Sequence, residues 1–176
     1  VGSEMCIRDS INGKSYGKQS KNNSSLKNRY RLMWMDTKYE PGEVKVVAYD
    51  KNGKAVAEKV VRTAGKSHHI ELVSNRNELT ADGKDLAYVT VKVVDKDGNL
   101  CPADNRQINF SVKGTGKYRA AANGDPTNLE QFHLPKMHAF NGMLTAILQA
   151  GETAGEIVFT AKANGVKAGN IRIQTK

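Results

Sequence analysis

The chain has 176 residues, and 27 lysines and arginines against 18 acidic residues give it a formal net charge of +9 at pH 7. This length suits one full domain plus part of another. The basic balance alone would suit nucleic-acid binding, but no arginine cluster, helix-turn-helix pattern or aromatic-basic RNA motif accompanies it, so a lysine-rich β surface is favoured. No apolar run is long enough to span a bilayer, and two cysteines give no disulfide framework.

The first ten residues, VGSEMCIRDS, resemble the translated end of a transposon-type sequencing-library adapter. The codons GTG GGC TCG GAG ATG TGT ATA AGA GAC give the residues up to Asp9, and the incomplete codon AG– that follows can only become Ser or Arg, in agreement with Ser10. We therefore expect residues 1–10 to be a non-native leader that contributes nothing to the fold, and the natural N-terminal part of the protein to be missing.

Residues 11–65 predict a truncated immunoglobulin-like β-sandwich domain. Asn12-Gly13 tolerates positive φ and predicts the tip of a hairpin whose first strand has been cut off. Residues 29–35 predict a strand, because Tyr30, Leu32 and Trp34 alternate onto one face.

The clearest hairpin follows, with strands at residues 43–50 and 54–62 around the turn Asp50-Lys-Asn-Gly53. The small residues at 63–67 then predict a linker between two domains.

Residues 66–176 predict a complete C-terminal immunoglobulin-like domain of about seven short strands separated by Gly, Asn and Asp turns. The alternation within the strands gives a predicted core of ten residues: Val89, Val91, Val93, Ile108, Phe110, Leu144, Leu148, Ile157, Phe159 and Ile171. No segment shows helical periodicity, so the fold class is all-β, with two tandem sandwich domains of which the first is truncated.

The long irregular segment 122–141 carries the candidate binding residues Asn123, Asp125 and Thr127. Asn-Gly allows a tight turn, and the proline at 126 forces Asp125 into an extended conformation. Long loops in compact domains are disproportionately functional, so this loop is a candidate contact for a sugar or a neighbouring domain. A purely structural corner is the simpler alternative.

The other polar clusters give only weak indications of a metal or catalytic site. The turn at residues 95–99 partly resembles a calcium loop but lacks the bidentate Glu, so a hairpin turn is favoured. His68 and His69 are neighbours that would face opposite sides of a strand. His133 and His138 lie near Asp125 and Glu130, but their spacing matches no zinc signature.

Three stretches resemble glycoside hydrolase family 2. The hairpin NGKSYGK at residues 12–18 is similar to one found in these enzymes. Residues 39–49, continuing to 60–65, resemble the immunoglobulin-like domain that follows the catalytic barrel in bacterial β-galactosidases of the family. Residues 82–91, 95–100 and 123–127 resemble the C-terminal domain of those enzymes.

The resemblance implies a non-catalytic accessory region of a β-galactosidase-like retaining enzyme. The two catalytic glutamates would lie on an absent (β/α)-barrel, so no catalytic, metal or cofactor residue is assigned. The implied partner is that barrel, or a second subunit, and the substrate is an oligo- or polysaccharide reached through the parent enzyme. A periplasmic or extracellular location is expected. The alternatives are a surface adhesin built from immunoglobulin-like repeats and an independent carbohydrate-binding module, which the scarcity of aromatic residues disfavours.

Overall fold

The computed structural model describes residues 6–176. They divide into two compact units, and the boundary along the chain lies between Thr63 and Ala64. This boundary falls two residues before the predicted one. Both units are built from β-strands, and the single α-helix of the described residues has five residues. The all-β prediction is therefore confirmed. None of the described helices is long and apolar enough to cross a membrane.

The first unit is a four-stranded antiparallel sheet in the order β2-β1-β3-β4. Its strands are β1 (Cys6–Ile11), β2 (Lys14–Ser20), β3 (Glu43–Tyr49) and β4 (Ala55–Arg62). Asn12 and Gly13 form the predicted hairpin tip, with φ of 48° and 81°. Ile11, at 8% exposure, is the one buried apolar residue among those described in this unit.

Strand β1 corrects the expectation that residues 1–10 contribute nothing to the fold. Residues 1–5 lie outside the described residues, but Cys6–Ile11 pairs with β2 on one side and β3 on the other. The first strand of the hairpin is therefore present. Backbone hydrogen bonds do not depend on side-chain identity, so residues that resemble a foreign leader can still complete a sheet. One carboxylate oxygen of Asp9 is buried without a hydrogen-bond partner among the described residues.

The strand predicted at residues 29–35 is wrong. Helix α1 covers Leu26–Tyr30, and an irregular segment follows it. Ser25 caps the helix, because its side chain accepts a hydrogen bond from the backbone N–H of Asn28. Tyr30, which would share one strand face with Leu32 and Trp34, is 66% exposed. The indole N–H of Trp34 donates to the Tyr16 carbonyl oxygen at 3.0 Å.

The second unit is a β-sandwich of two sheets. One has the order β5-β7-β11-β9, formed by His69–Ser74, Leu86–Val94, Met143–Ala150 and Gly116–Ala122. The other has the order β10-β8-β12-β13-β6, formed by Lys136–His138, Gln107–Gly114, Gly155–Lys162, Gly169–Thr175 and Glu78–Leu79. The described part of this unit thus has nine strands, compared with about seven predicted. The two additional strands, β6 and β10, are too short for an alternating pattern to reveal them.

The inward faces of the two sheets form one core. Nine of the ten predicted core residues are buried, while Ile171 is only partly buried and its neighbour Ile173 is fully buried. Phe110 stacks between Phe159 and Tyr118, with ring centroids 5.7 and 5.6 Å away. Leu79 and Met137, on the two short strands, close the core at positions that the sequence pattern did not indicate.

Candidate functional site

The loop that joins β9 to β10 brings the three predicted site residues together. The backbone N–H of Asp125 donates to the Asn123 side-chain oxygen at 3.1 Å. The backbone N–H and the hydroxyl of Thr127 both donate to Asp125 Oδ1, at 2.8 and 2.7 Å. Asn123, Asp125 and Thr127 therefore form one hydrogen-bonded corner at the surface.

The carboxylate of Asp125 is held in its ionised form. The hydrogen bond from the Thr127 backbone N–H, followed by that from the Thr127 hydroxyl, lowers the pKa of Asp125 from its usual value. Within the described residues, both of these bonds go to Oδ1. Oδ2 makes no hydrogen bond within the described residues, and as part of an ionised carboxylate it can only accept one.

The corner is fixed to the body of the domain. Asn123 Nδ2 donates to the His138 carbonyl oxygen at 3.0 Å, and Asn128 Nδ2 donates to Asn123 Oδ1 at 3.3 Å. The same Asn128 amide lies 3.4 Å from the sulfur of Met137, which is fully buried in the core. The polar corner is therefore preformed and needs no ordering step before it makes a contact.

A second polar pair lies on the same loop. His138 Nδ1 is 3.0 Å from Glu130 Oε1, and the His138 backbone N–H donates to Glu130 Oε2 at 3.0 Å. Burial raises the pKa of Glu130, but the two hydrogen bonds from His138 and the nearby positive charges outweigh it and leave the pKa lowered. Across residues 6–176, no group of three His, Cys, Asp or Glu side chains is arranged to hold a metal ion.

The rings of His68 and His69 meet, contrary to the expectation that they face opposite sides of a strand. Their Nδ1 atoms are 3.0 Å apart, and the rings are nearly perpendicular. The reason is that β5 begins at His69, so strand alternation does not constrain His68.

The turn at residues 95–99 is a hairpin turn, as predicted, and it also has a role that the sequence did not reveal. Asp95 Oδ1 accepts from the backbone N–H groups of Asp97 and Asn99, both at 2.9 Å. Asp50 caps the turn at 50–54 in the same way. Asp95 differs because it is buried and because its Oδ2 accepts from the backbone N–H of Gly65 at 2.8 Å.

These hydrogen bonds fix the start of the second unit. The bond from Gly65, then the side-chain bond from Asn99, lowers the pKa of Asp95 well below its ordinary value. A second carboxylate, Asp104, accepts from the Ser67 hydroxyl at 2.5 Å and from the guanidinium of Arg106. Most of the segment predicted as a linker is therefore bound to the second unit. Sequence patterns could not show this, because the partners lie thirty or more positions apart.

Two surface hollows lie in the first unit, with volumes of about 430 and 320 Å³. The polar segments around Gln19, Asn28 and Met33 line the larger one, and Tyr16 and Trp34 line the smaller one. Asp36 is the one carboxylate residue among their lining residues. Neither hollow therefore presents the pair of carboxylates that glycoside hydrolysis requires.

The described residues thus form an all-β region whose second unit is a β-sandwich. Comparison with protein families identifies it further. The family described as glycoside hydrolase family 2 C-terminal domain 5 matches residues 70–172, and a domain of unknown function, DUF4982, matches residues 10–57. The chain belongs to glycoside hydrolase family 2, as a C-terminal region of such an enzyme.

Similar proteins agree with this assignment. A β-galactosidase of Bacteroides ovatus, BoGH2A, is 40% identical over 94% of the chain, and a β-galactosidase of Thermoanaerobacter pseudethanolicus is 32% identical over 71%. The matched parts are 19% and 15% of those proteins, so the chain spans about a fifth or less of their length. A family 2 member from Bacteroides cellulosilyticus has the same fold, with a TM-score of 0.85 and 29% identity over 99% of the chain and 22% of that structure.

Proposed function

We propose that this chain is the non-catalytic accessory region of a family 2 glycoside hydrolase that cleaves terminal β-galactosides. The observation that carries the proposal is the match of a family 2 C-terminal domain to residues 70–172 of the sandwich, together with a β-galactosidase relative that aligns with nearly the whole chain. The accessory units would support a catalytic barrel that lies in the part of the relatives this chain does not cover.

The first test compares the purified chain with the full-length enzyme on an aryl β-galactoside. We expect turnover by the full-length enzyme and none by the chain, because retaining hydrolysis needs two carboxylates about 5 Å apart. Turnover by the chain alone would overturn the accessory role. Turnover of an aryl β-glucuronide but not of the galactoside by the full-length enzyme would overturn the substrate while leaving the accessory role intact.

The loop corner is proposed to contact the substrate at the rim of that active site. Three features support this: a preformed polar surface, an Asp125 carboxylate oxygen that makes no hydrogen bond in the part of the chain described, and the proximity of two further hydrogen-bonding side chains, Asn123 and Thr127. Neutral sugar hydroxyls are recognised by such groups, since each hydroxyl both donates and accepts.

The second test is kinetic and uses a matched control. Asp82 caps another loop of the same unit, because its Oδ1 accepts from the backbone N–H groups of Lys84 and Asp85, both at 2.8 Å. In the full-length enzyme, Asp125→Ala should raise KM for a natural oligosaccharide more than for an aryl galactoside, whereas Asp82→Ala should change neither. If both variants lower the melting temperature and leave the kinetics unchanged, the loop is a structural corner only.

A further inference from the structure

The two outward faces of the second unit differ in character. On the β10-β8-β12-β13-β6 sheet, the outward residues are mainly polar or charged, as in Ser111, Lys113, Thr160, Asn170 and Arg172. Arg172 and Glu156 form an ion pair there. This is the ordinary surface of a solvated sheet.

The outward face of the β5-β7-β11-β9 sheet is uncharged across its centre. The strand register places Val73, Thr90 and Thr145 in one row and Tyr88 beside Ile147 in the next. Val73 and Tyr88 are each 44% exposed, and Met143 at the end of β11 is 36% exposed. The edge strand β9 adds only Ala120 and Ala122 to these rows. We call this surface the neutral face.

Charged side chains border the neutral face: Glu71 and Lys92 at one end, Lys117 at the other, and Arg119 at the bulge of β9 beside Ala120. Glu71 and Lys92 pair with each other at 3.1 Å beside Met143, which leaves their end of the face nearly neutral as well. Beyond the free edge of β9, the Phe132 carbonyl oxygen accepts from the Ala121 N–H at 2.8 Å, and the Phe132 side chain is 56% exposed. In a chain with 26% charged residues, an uncharged surface patch of this kind is often an interaction site.

We propose that the neutral face packs against an uncharged, apolar surface of the same enzyme polypeptide, in the part of the relatives that this chain does not cover. This inference rests on the accessory role proposed above. It goes further by naming the contacting surface and the chemistry of its partner.

The size of the face favours a tethered partner over a second copy. Four strands about 4.8 Å apart, and two or three outward positions about 6.8 Å apart along each, give an area of about 300 Å². Stable association of separate chains needs about 800 Å² from each partner. A domain on the same polypeptide needs less, because the covalent connection raises its effective concentration and interfaces within a chain are correspondingly smaller.

The experiment places a charge on each face in two molecular contexts. Thr145→Lys alters the neutral face, and Thr160→Lys is the matched control, because both threonines are half-buried outward residues on interior strands. Each variant is made in the 176-residue chain and in the full-length enzyme, and the transition of the C-terminal unit is followed by calorimetry. We expect Thr145→Lys to lower the melting temperature by about 4 °C or more in the full-length enzyme and to leave the isolated chain unchanged. Thr160→Lys should change the melting temperature by the same amount in the isolated chain and in the full-length enzyme.

A second measurement needs no substitution. Hydroxyl-radical labelling of Tyr88 and Met143 should be several-fold slower in the full-length enzyme than in the isolated chain. Equal labelling in both, or an equal effect of Thr145→Lys in both, would overturn the proposal. So would a dimer of the isolated chain that Thr145→Lys dissociates, since the partner would then be a second copy. None of these outcomes changes which protein turns over the galactoside, so failure here is distinguishable from failure of the accessory role.

Discussion

Phe110 is expected to contribute a large share of the stability of the second unit. Its side chain is 7% exposed and lies between two other aromatic rings. Phe110→Ala removes about 2 kcal/mol of transfer free energy. It also leaves a cavity of at most about 100 Å³, which adds about 2.4 kcal/mol at about 24 cal/mol per Å³. We therefore expect the free energy of unfolding to fall by about 4 kcal/mol.

Phe132→Ala is the matched control, since the same ring is removed from a site where it is 56% exposed. Its expected cost is below about 1 kcal/mol. Denaturant unfolding should be followed by far-UV circular dichroism, because Trp34 belongs to the first unit and its fluorescence would report the wrong transition. A loss below about 1 kcal/mol for Phe110→Ala, or equal losses for the two variants, would refute the packing argument.

The remaining predictions concern charge and backbone. Hydrogen bonding to Arg106, opposed by burial and aided by Ser67, lowers the pKa of Asp104 to about 2 from 3.8. Its stabilising effect is thus present above about pH 4 and is lost as the pH falls towards 2, and Asp104→Asn should flatten the melting temperature across that window. Gly114→Ala should lower the melting temperature of the second unit more than Gly124→Ala does. Both glycines have positive φ, 94° and 79°, but only at Gly114 would a Cβ overlap the Glu156 carbonyl oxygen, and comparison of the two melting temperatures checks this. Asp9→Val should raise the melting temperature of the first unit, because it removes a buried carboxylate oxygen that has no hydrogen-bond partner among residues 6–176. A fall in that melting temperature would show that Asp9 stabilises the first unit.

The sequence predicted the core where alternation runs long enough to be read. Val89, Val91 and Val93 follow one another on a nine-residue strand, and all three are fully buried. Met137 is equally buried, but its strand has three residues, which is too short for a period to be recognised. At residues 26–30 two local signals compete: Ser25 is a good helix N-cap, and the helix it caps replaces the strand that the alternation of Tyr30 with Leu32 indicates.

The residues of the candidate corner could be predicted from the sequence, but the contacts that hold the corner in place could not. Asn123, Asp125 and Thr127 are near neighbours in sequence, so turn chemistry alone could bring them together. The partners that fix the loop, His138 and Met137, come from a strand that sequence patterns did not predict. The bond between Asp95 and Gly65 has the same character, since it depends on how the chain returns to itself and leaves no periodic trace.

The parallel pairing of β6 with β13 has a consequence for the rate of folding. Leu79 pairs with Thr175, nearly a hundred positions later, and the last strand also lies against β12. Closing so large a loop has an entropic cost that must be met before the contact contributes any free energy. Such nonlocal pairings slow folding. The sandwich therefore cannot close during synthesis until β13 has left the ribosome, and until then the apolar side of β12 is exposed to aggregation.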